Sequence, residues 1–371
     1  MTTPSKVTVA LKSNSYDILI GDNLLEVAGE VLRERFGSRR IFIVTEDRVA
    51  GLYLDRLRHS LFEAHYEISE IIVPGGEGSK EFHVLQGLIE DLLEAGVARD
   101  SLIIAFGGGV IGDLVGFAAS ILLRGVDYVQ VPTTLLAQVD SAVGGKTGIN
   151  SPLGKNLIGS FHQPKLVLSD TSLLDSLPKR ELLAGYAEVV KYSLIGNAKF
   201  FGWLEENGVA LVSGQKSARE HAVATCCKMK AEIVSKDERE DGQRLLLNLG
   251  HTFGHAFEAD LDFDSRLLHG EAVAIGSLMA FDLSARLGYC AASALEEVRL
   301  HYEKVKLPTL LPRLNEHVWS AERFLSHMNR DKKVRNGKKV LILVRRIGEA
   351  FVNDQVGESI LLDVLDAYID S

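Results

Sequence analysis

Residues 101–120 read SLIIAFGGGVIGDLVGFAAS. An unbroken apolar run of strand length meets three glycines and passes into a second apolar stretch. A strand buried on both faces, a tight turn and a helix form the unit from which parallel sheets are assembled. The turn satisfies GxGxxG through Gly107, Gly109 and Gly112. Such glycines let the backbone approach a pyrophosphate, whose charge the helix N-terminus favours. The acidic residue that usually ends a strand about 20 residues later is missing, so the motif alone also fits a turn that holds no ligand. Two upstream features favour the ligand. Glu46 ends the strand-like IFIVT, where a ribose hydroxyl could be held, and GGEGSK (Gly75 to Lys80) is a second glycine-rich turn carrying a carboxylate, Glu77, and a lysine. Both turns are expected at the same edge of one sheet.

Outward from this unit, apolar runs alternate with helical patterns. Strand-like VTVAL and YDILI precede a helix from Asn23; IFIVT precedes a helix near Val49; EIIVP precedes a helix from Lys80; and DYVQVP precedes the helical TTLLAQVDSA. The order predicts an α/β, Rossmann-like parallel sheet opened by an antiparallel hairpin. After Leu177 and Pro178 the character changes. Segments of 3.6-residue period run from Arg180 to Ile195, Ala218 to Val234, Leu246 to Ala259 and Gly270 to Leu287, and strand signals nearly vanish. The expected division is an α/β unit over 1–176 and a mainly helical unit over 177–371, with one late hairpin in KKVLILVRRIGEAFV.

Composition narrows the function. A formal charge of -9 disfavours nucleic acid and anionic membranes, so basic clusters are local devices for a small anion. The segment MTTPSKVTVALKSNS has no apolar targeting core, and no apolar run approaches the ~20 residues of a membrane span. A cytoplasmic enzyme is expected. Cys226, Cys227 and Cys290 lack CxxC spacing and read as reduced structural thiols.

Three constellations carry chemistry. VPTTLLAQVDSAVGGKTGINSPLGKN places Asp140, Lys146, Lys155 and Asn156 among glycines, a setting for phosphate or carboxylate. ELLAGYAEVVKYSLI puts Glu188 in an apolar stripe with Lys191 three residues on, a spacing most often explained by a surface ion pair. LNLGHTFGHAFE sets His251 and His255 on one helix face, and His269 opens the next helical segment. One carboxylate and two or three imidazoles could thus converge on a zinc-like ion, although HTFGH lacks the glutamate of the peptidase motif HExxH. Upstream of the histidines, Lys230, Glu240, Arg244 and Asn248 follow in order, with Arg244 and Asn248 one to two helical turns before His251.

The blocks GGGVIGDLVGFAAS, VPTTLLAQVDSAVGGKTGIN, PLGKNLIGSF, AGYAEVVKY, DERE, LNLGHTFGHAFE and LHGEAVAIG stand in one order over most of Leu102 to Gly276. Together they resemble the 3-dehydroquinate synthases of the sugar phosphate cyclase superfamily. The resemblance implies an NAD-binding α/β domain, a helical domain and an active site in the cleft between them. It implies that Glu188, His251 and His269 hold a divalent zinc or cobalt ion, and that His255 is catalytic rather than a ligand. Asp140, Lys146, Asn156, Lys191, Lys230, Arg244 and Asn248 would line the substrate pocket, with Lys332 or Lys333. Arg124 would reach the pocket from a second subunit of a homodimer. The NAD contacts implied are Glu46, Glu77, Lys80, Gly108, Gly109, Asp113, Thr133, Thr134, Asp140, Lys146 and Lys155.

The activity implied converts 3-deoxy-D-arabino-heptulosonate 7-phosphate to 3-dehydroquinate and phosphate, in the shikimate pathway of aromatic amino acid biosynthesis. Its steps are transient oxidation, β-elimination, re-reduction, ring opening and aldol closure. Two rivals share the machinery. Other cyclases, the 2-deoxy-scyllo-inosose and 2-epi-5-epi-valiolone synthases, act on substrates without a carboxylate, which Arg244 and Lys230 disfavour. A metal-dependent polyol dehydrogenase would release NADH.

Overall fold

The computed structural model describes residues 4–152, 154–240, 242–315, 317–330 and 340–369. Lys332 and Lys333 lie outside the described residues. The chain forms two compact units. One comprises Met1–Leu177 with Arg219–Arg239, and the other Pro178–Ala218 with Glu240–Ser371. The long opening segment of the first unit ends at Leu177, where the sequence changes character. The division into 1–176 and 177–371 needs one correction, because most of the helix Lys216–Lys236 returns to the first unit. Its apolar face is spent there: Cys227, fully buried, donates through Sγ to the Gln138 carbonyl at 3.2 Å.

The first unit is built on a seven-stranded sheet in the order β1-β2-β9-β6-β5-β3-β4. The strands are β1 (Ser5–Val9), β2 (Tyr16–Gly21), β3 (Ile41–Glu46), β4 (Ile68–Val73), β5 (Leu102–Gly107), β6 (Asp127–Pro132) and β9 (Leu166–Asp170). β1 and β2 are antiparallel and the other pairings parallel. Alternate residues feed two cores. Ile41, Ile43, Leu102, Ile104 and Phe106 pack in one cluster, and Phe42, Val44, Ile103 and Ala105 in the other. Burial on both faces is why these strands read as unbroken apolar runs.

Chain order reverses across β3 and β5, and such a switch point places the ligand crevice at the strands' carboxyl ends. The register brings those ends level, with Glu46 beside Val73, Thr45 beside Phe106 and Gly107 beside Pro132. Both glycine-rich turns thus leave the same edge, as the sequence led us to expect.

Two elements differ from the sequence reading. The glycine-containing segment around Lys146, Lys155 and Asn156, to which the sequence assigned no strand, forms a second hairpin, β7 (Lys146–Ser151) and β8 (Gly154–Phe161), with Gly148 opposite Gly159. β9, a five-residue buried strand, joins the hairpin-bearing edge to β6.

In the second unit the helix His269–Arg286 is central, with thirteen buried residues, and it packs on the helices Lys179–Gly196 and His251–Asp260. Contact with the first is close enough that a Cβ on Gly270 would lie 1.9 Å from the Ala184 carbonyl oxygen. The late hairpin is present as β10 (Leu341–Arg346) and β11 (Glu349–Asn353).

One buried polar pair predicts how this unit responds to acid. His301 is 3% exposed and its Nε2 lies 2.9 Å from the Tyr186 hydroxyl. Burial, reinforced by Lys304, pushes its pKa down to about 4. The folded ring stays neutral to about pH 4 whereas the unfolded chain takes up the proton near 6.5, so protons favour unfolding across that window. Stability is full above about pH 6.5 and falls by roughly 3 kcal/mol on descending to pH 4. Urea midpoints measured from pH 7 to 4 should therefore drop less steeply for His301→Asn than for the parent. Identical slopes would show that His301 does not carry the loss.

Candidate active site

Glu188 lies mid-way along the helix Lys179–Gly196 and is 0% exposed. Neither of its oxygens receives a well-formed hydrogen bond among the described residues, although Lys191 Nζ, three residues on, contacts Oε2. The expected ion pair therefore exists, but it is buried rather than on the surface. A carboxylate in such surroundings demands cationic company.

Two imidazoles face it. His251 begins its helix directly after Gly250, whose φ of 78° turns the chain sharply out of the preceding 3-10 segment, and His269 is the first residue of the next helix. Their Nε2 atoms lie 3.8 Å and 3.7 Å from Glu188 Oε1. Their Nδ1 atoms are turned away, His251 to the Leu249 carbonyl at 3.2 Å and His269 to Glu258 Oε2 at 2.9 Å. Both partners are acceptors, so each Nδ1 carries the proton and each Nε2 presents a lone pair. Two ligands about 2.1 Å from a tetrahedral ion stand about 3.4 Å apart, close to the spacing found. The buried, under-satisfied carboxylate and the two aimed lone pairs fit a divalent ion such as zinc or cobalt.

A second group, His255, Glu258 and His269, also lies within 4.8 Å, so proximity alone does not separate the two sets. The His255 ring is half-buried, 5.4 Å from that of His251 and 6.0 Å from that of His269. It belongs to the second group and not to the first. Glu258, to which the sequence assigned no role, lies three residues after His255 on the same helix.

Arg244 and Asn248 are not in line with His251 as a continuous helix would place them. They sit on the 3-10 segment Gln243–Asn248, and the break at Leu249 and Gly250 intervenes. Arg244 is 1% exposed, and Asn248 donates to Glu240 Oε1 at 2.9 Å.

In the first unit, Glu46 and the second glycine-rich turn meet closely: a Cβ on Gly75 would lie 2.1 Å from Glu46 Oε2. Burial raises the Glu46 pKa, against the pull of Arg48. The helix Gly109–Ile121 opens at Gly108 without a side-chain cap, which leaves its first-turn amides for an anion. Thr133 is buried and Thr134 half-buried just beyond β6. Lys80, 3% exposed, donates to Asp113 Oδ2 at 2.6 Å and to Asn156 Oδ1, with Glu77 at 3.9 Å. Burial lowers its pKa, but Asp113 and Glu77 outweigh that and raise it, so the ammonium stays charged. Lys230 Nζ donates to the Asp140 carbonyl at 2.6 Å and to its Oδ1 at 2.8 Å. Lys146 is exposed and Lys155 half-buried on the β7–β8 hairpin. Arg124 is exposed, and both it (φ 67°) and Leu123 (φ 50°) are left-handed, a strained pair outside glycine.

The fold of these two units is shared with the sugar phosphate cyclases. The same architecture occurs in 2-epi-5-epi-valiolone synthase from Streptomyces hygroscopicus subsp. jinggangensis 5008, solved with NAD+ and Zn2+ bound, which is 30% identical. That likeness has a TM-score of 0.88 and covers 97% of this chain and 98% of that one.

Within the class, the chain belongs to the 3-dehydroquinate synthase family. The family's N-terminal model matches residues 70–184 and its C-terminal model residues 185–334. The chain is 53% identical to a 3-dehydroquinate synthase of Rhodospirillum rubrum and 50% identical to one of Nitrobacter winogradskyi. Each match covers 98% of this chain and 95% of the relative.

The geometry predicts how metal content responds to substitution. Glu188→Gln, His251→Ala and His269→Ala should each lose bound zinc on dialysis, and Gly270→Ala should weaken retention by forcing apart the helices that carry Glu188 and His269. His255→Ala should keep a metal content near the parent's. Elemental analysis decides: loss of metal from the His255 variant with retention in the His269 variant would overturn the ligand set.

Proposed function

We propose that this chain is an enzyme converting 3-deoxy-D-arabino-heptulosonate 7-phosphate to 3-dehydroquinate and phosphate, acting in the shikimate route to aromatic amino acids. The observation that carries the reading is the convergence of His251 and His269 on buried Glu188 in a chain of this family. NAD and a divalent ion are its cofactors, the first at the β3–β5 switch point and the second at Glu188, His251 and His269. When bound, the nicotinamide supplies a hydride acceptor and donor, and the ion polarises oxygen and lowers the pKa of a hydroxyl. Loss of phosphate with ring closure is redox-neutral overall, so hydride taken must be returned.

The chain's own residues do the rest. Glu46 holds the ribose, and Glu77, Lys80, Gly108, Gly109, Asp113, Thr133, Thr134, Asp140, Lys146 and Lys155 form the remaining nucleotide contacts. Arg244 offers a buried planar fork suited to the substrate carboxylate, with Lys230 as a second cation. This favours the carboxylate-bearing heptulosonate over substrates of the other cyclases. Lys191, Asn156 and Asn248 fix the hydroxyl-rich body, and rigid placement supplies much of the acceleration. His255 holds a proton beside the leaving group. Lys146 binds the phosphate, and a second chain contributes Arg124 to it, so the working unit is a homodimer. Its backbone strain and exposure suit a residue committed to a neighbour. No described helix is long and apolar enough to cross a membrane, in keeping with a cytoplasmic enzyme.

Phosphate should be released from the heptulosonate phosphate and not from glucose 6-phosphate. NAD+ should be required, yet absorbance of reduced nicotinamide should not build up over many turnovers. Stoichiometric NADH would instead identify a dehydrogenase.

The dimer has its own test. Arg124→Ala and Lys146→Ala homodimers should each be nearly inactive. After subunit exchange at equal amounts, half the dimers are mixed, each with one site doubly damaged and one intact, so about a quarter of parental activity should return. With exchange verified by differently tagged chains, absence of recovery would place Arg124 in its own chain's site.

A further inference from the structure

Glu258 lies on the helix His251–Asp260, two turns beyond His251, and is 2% exposed. The residues assigned to the reaction above do not include it, and a buried carboxylate needs hydrogen-bond partners to be tolerated. Its Oε2 accepts from His269 Nδ1 at 2.9 Å. The helix end that bears it is fixed from outside: Asp260 accepts from Arg323 Nε at 2.7 Å and Nη2 at 3.0 Å, and lies 2.9 Å from His317 Nε2.

Two roles compete. With His255 and His269, Glu258 could bind a second cation, since the three donors lie within 4.8 Å. Alternatively it serves the ion at Glu188 indirectly, through His269. The orientation of the imidazole decides between them. His269 presents Nε2 to Glu188 and Nδ1 to Glu258, so a second ion could share the ring only by stripping the Nδ1 proton. The hydrogen bond already accounts for the contact. His251 repeats the arrangement with the Leu249 carbonyl behind its Nδ1. A carboxylate behind a ligand histidine fixes its tautomer and rotation and makes it more basic than a carbonyl does.

We infer that Glu258 is a positioning residue that locks His269 with Nε2 toward Glu188 and thereby sets the affinity for the divalent ion. The inference rests on the reading of Glu188, His251 and His269 as the ligand set. Removing Glu258 frees the ring to rotate, and replacing its charge with an amide keeps the hydrogen bond while lowering the basicity of the ring.

Cobalt titration of the metal-free full chain against a chromophoric chelator tests this. The parental protein should bind one ion per chain, and Glu258→Ala should also bind one, about 10–100-fold more weakly. Glu258→Gln should fall between them, with the unfolding temperature of its metal-free form close to the parent's. His251→Ala, run alongside, should lose the ion altogether. Parental affinity in both Glu258 variants would overturn the positioning role. Two ions per parental chain, with one lost in Glu258→Ala, would overturn it too and make Glu258 a ligand. Undiminished binding by His251→Ala would instead remove the ligand reading on which the inference stands.

Discussion

The second unit is organised around a carboxylate that has no access to water. Glu188 is fully buried on the Lys179–Gly196 helix, and an ionised group there is tolerated only with positive charge or strong donors around it. Lys191 supplies one charge from the same helix. Two imidazole lone pairs aimed at an anion also fit a cation held between them. The helix packing follows from that need. Gly270 admits the Ala184 carbonyl at a distance that leaves no room for a side chain, which sets His269 against Glu188. Gly250 breaks the chain so that His251 starts a helix with its ring toward the same point.

The first unit solves a related problem with paired charges. Lys80 is almost as deeply buried as Glu188, and Asp113, Glu77 and Asn156 surround its ammonium. These partners come from the first glycine-rich turn, the second one and the β7–β8 hairpin, so one lysine ties together three segments that the proposed reaction uses. Lys230 does the same for Asp140, which explains why the helix Lys216–Lys236 is drawn back into this unit. On this account the cationic side chains have two duties, holding the segments in place and binding anions.

Much of this was legible beforehand because periodicity and burial go together. Residues 101–120 announced β5 and its helix, since a strand covered on both faces must be apolar throughout. The change from apolar runs to helical spacing falls at Leu177, where the long opening segment of the first unit ends. The β7–β8 hairpin was not legible, because its cross-strand glycines and polar residues carry the composition of a loop. The return of the Lys216–Lys236 helix was hidden for another reason: helical spacing says that a face is buried but not against what. The ligand set shows the same limit. Spacing grouped three histidines, and it took the family likeness to separate His255 from the other two; Glu258 passed unnoticed because its role depends on an eleven-residue return of the chain to His269.

The central claim is that one ion is held by Glu188, His251 and His269. X-ray absorption at the metal edge of the cobalt-loaded chain tests it most directly, taken on the parent and on His255→Ala and His269→Ala. The account predicts two imidazole nitrogens and carboxylate oxygen in the parent's first shell, an unchanged nitrogen count in the His255 variant, and one nitrogen fewer, or no bound metal, in the His269 variant. A shell that loses a nitrogen with His255 and keeps both without His269 would contradict it.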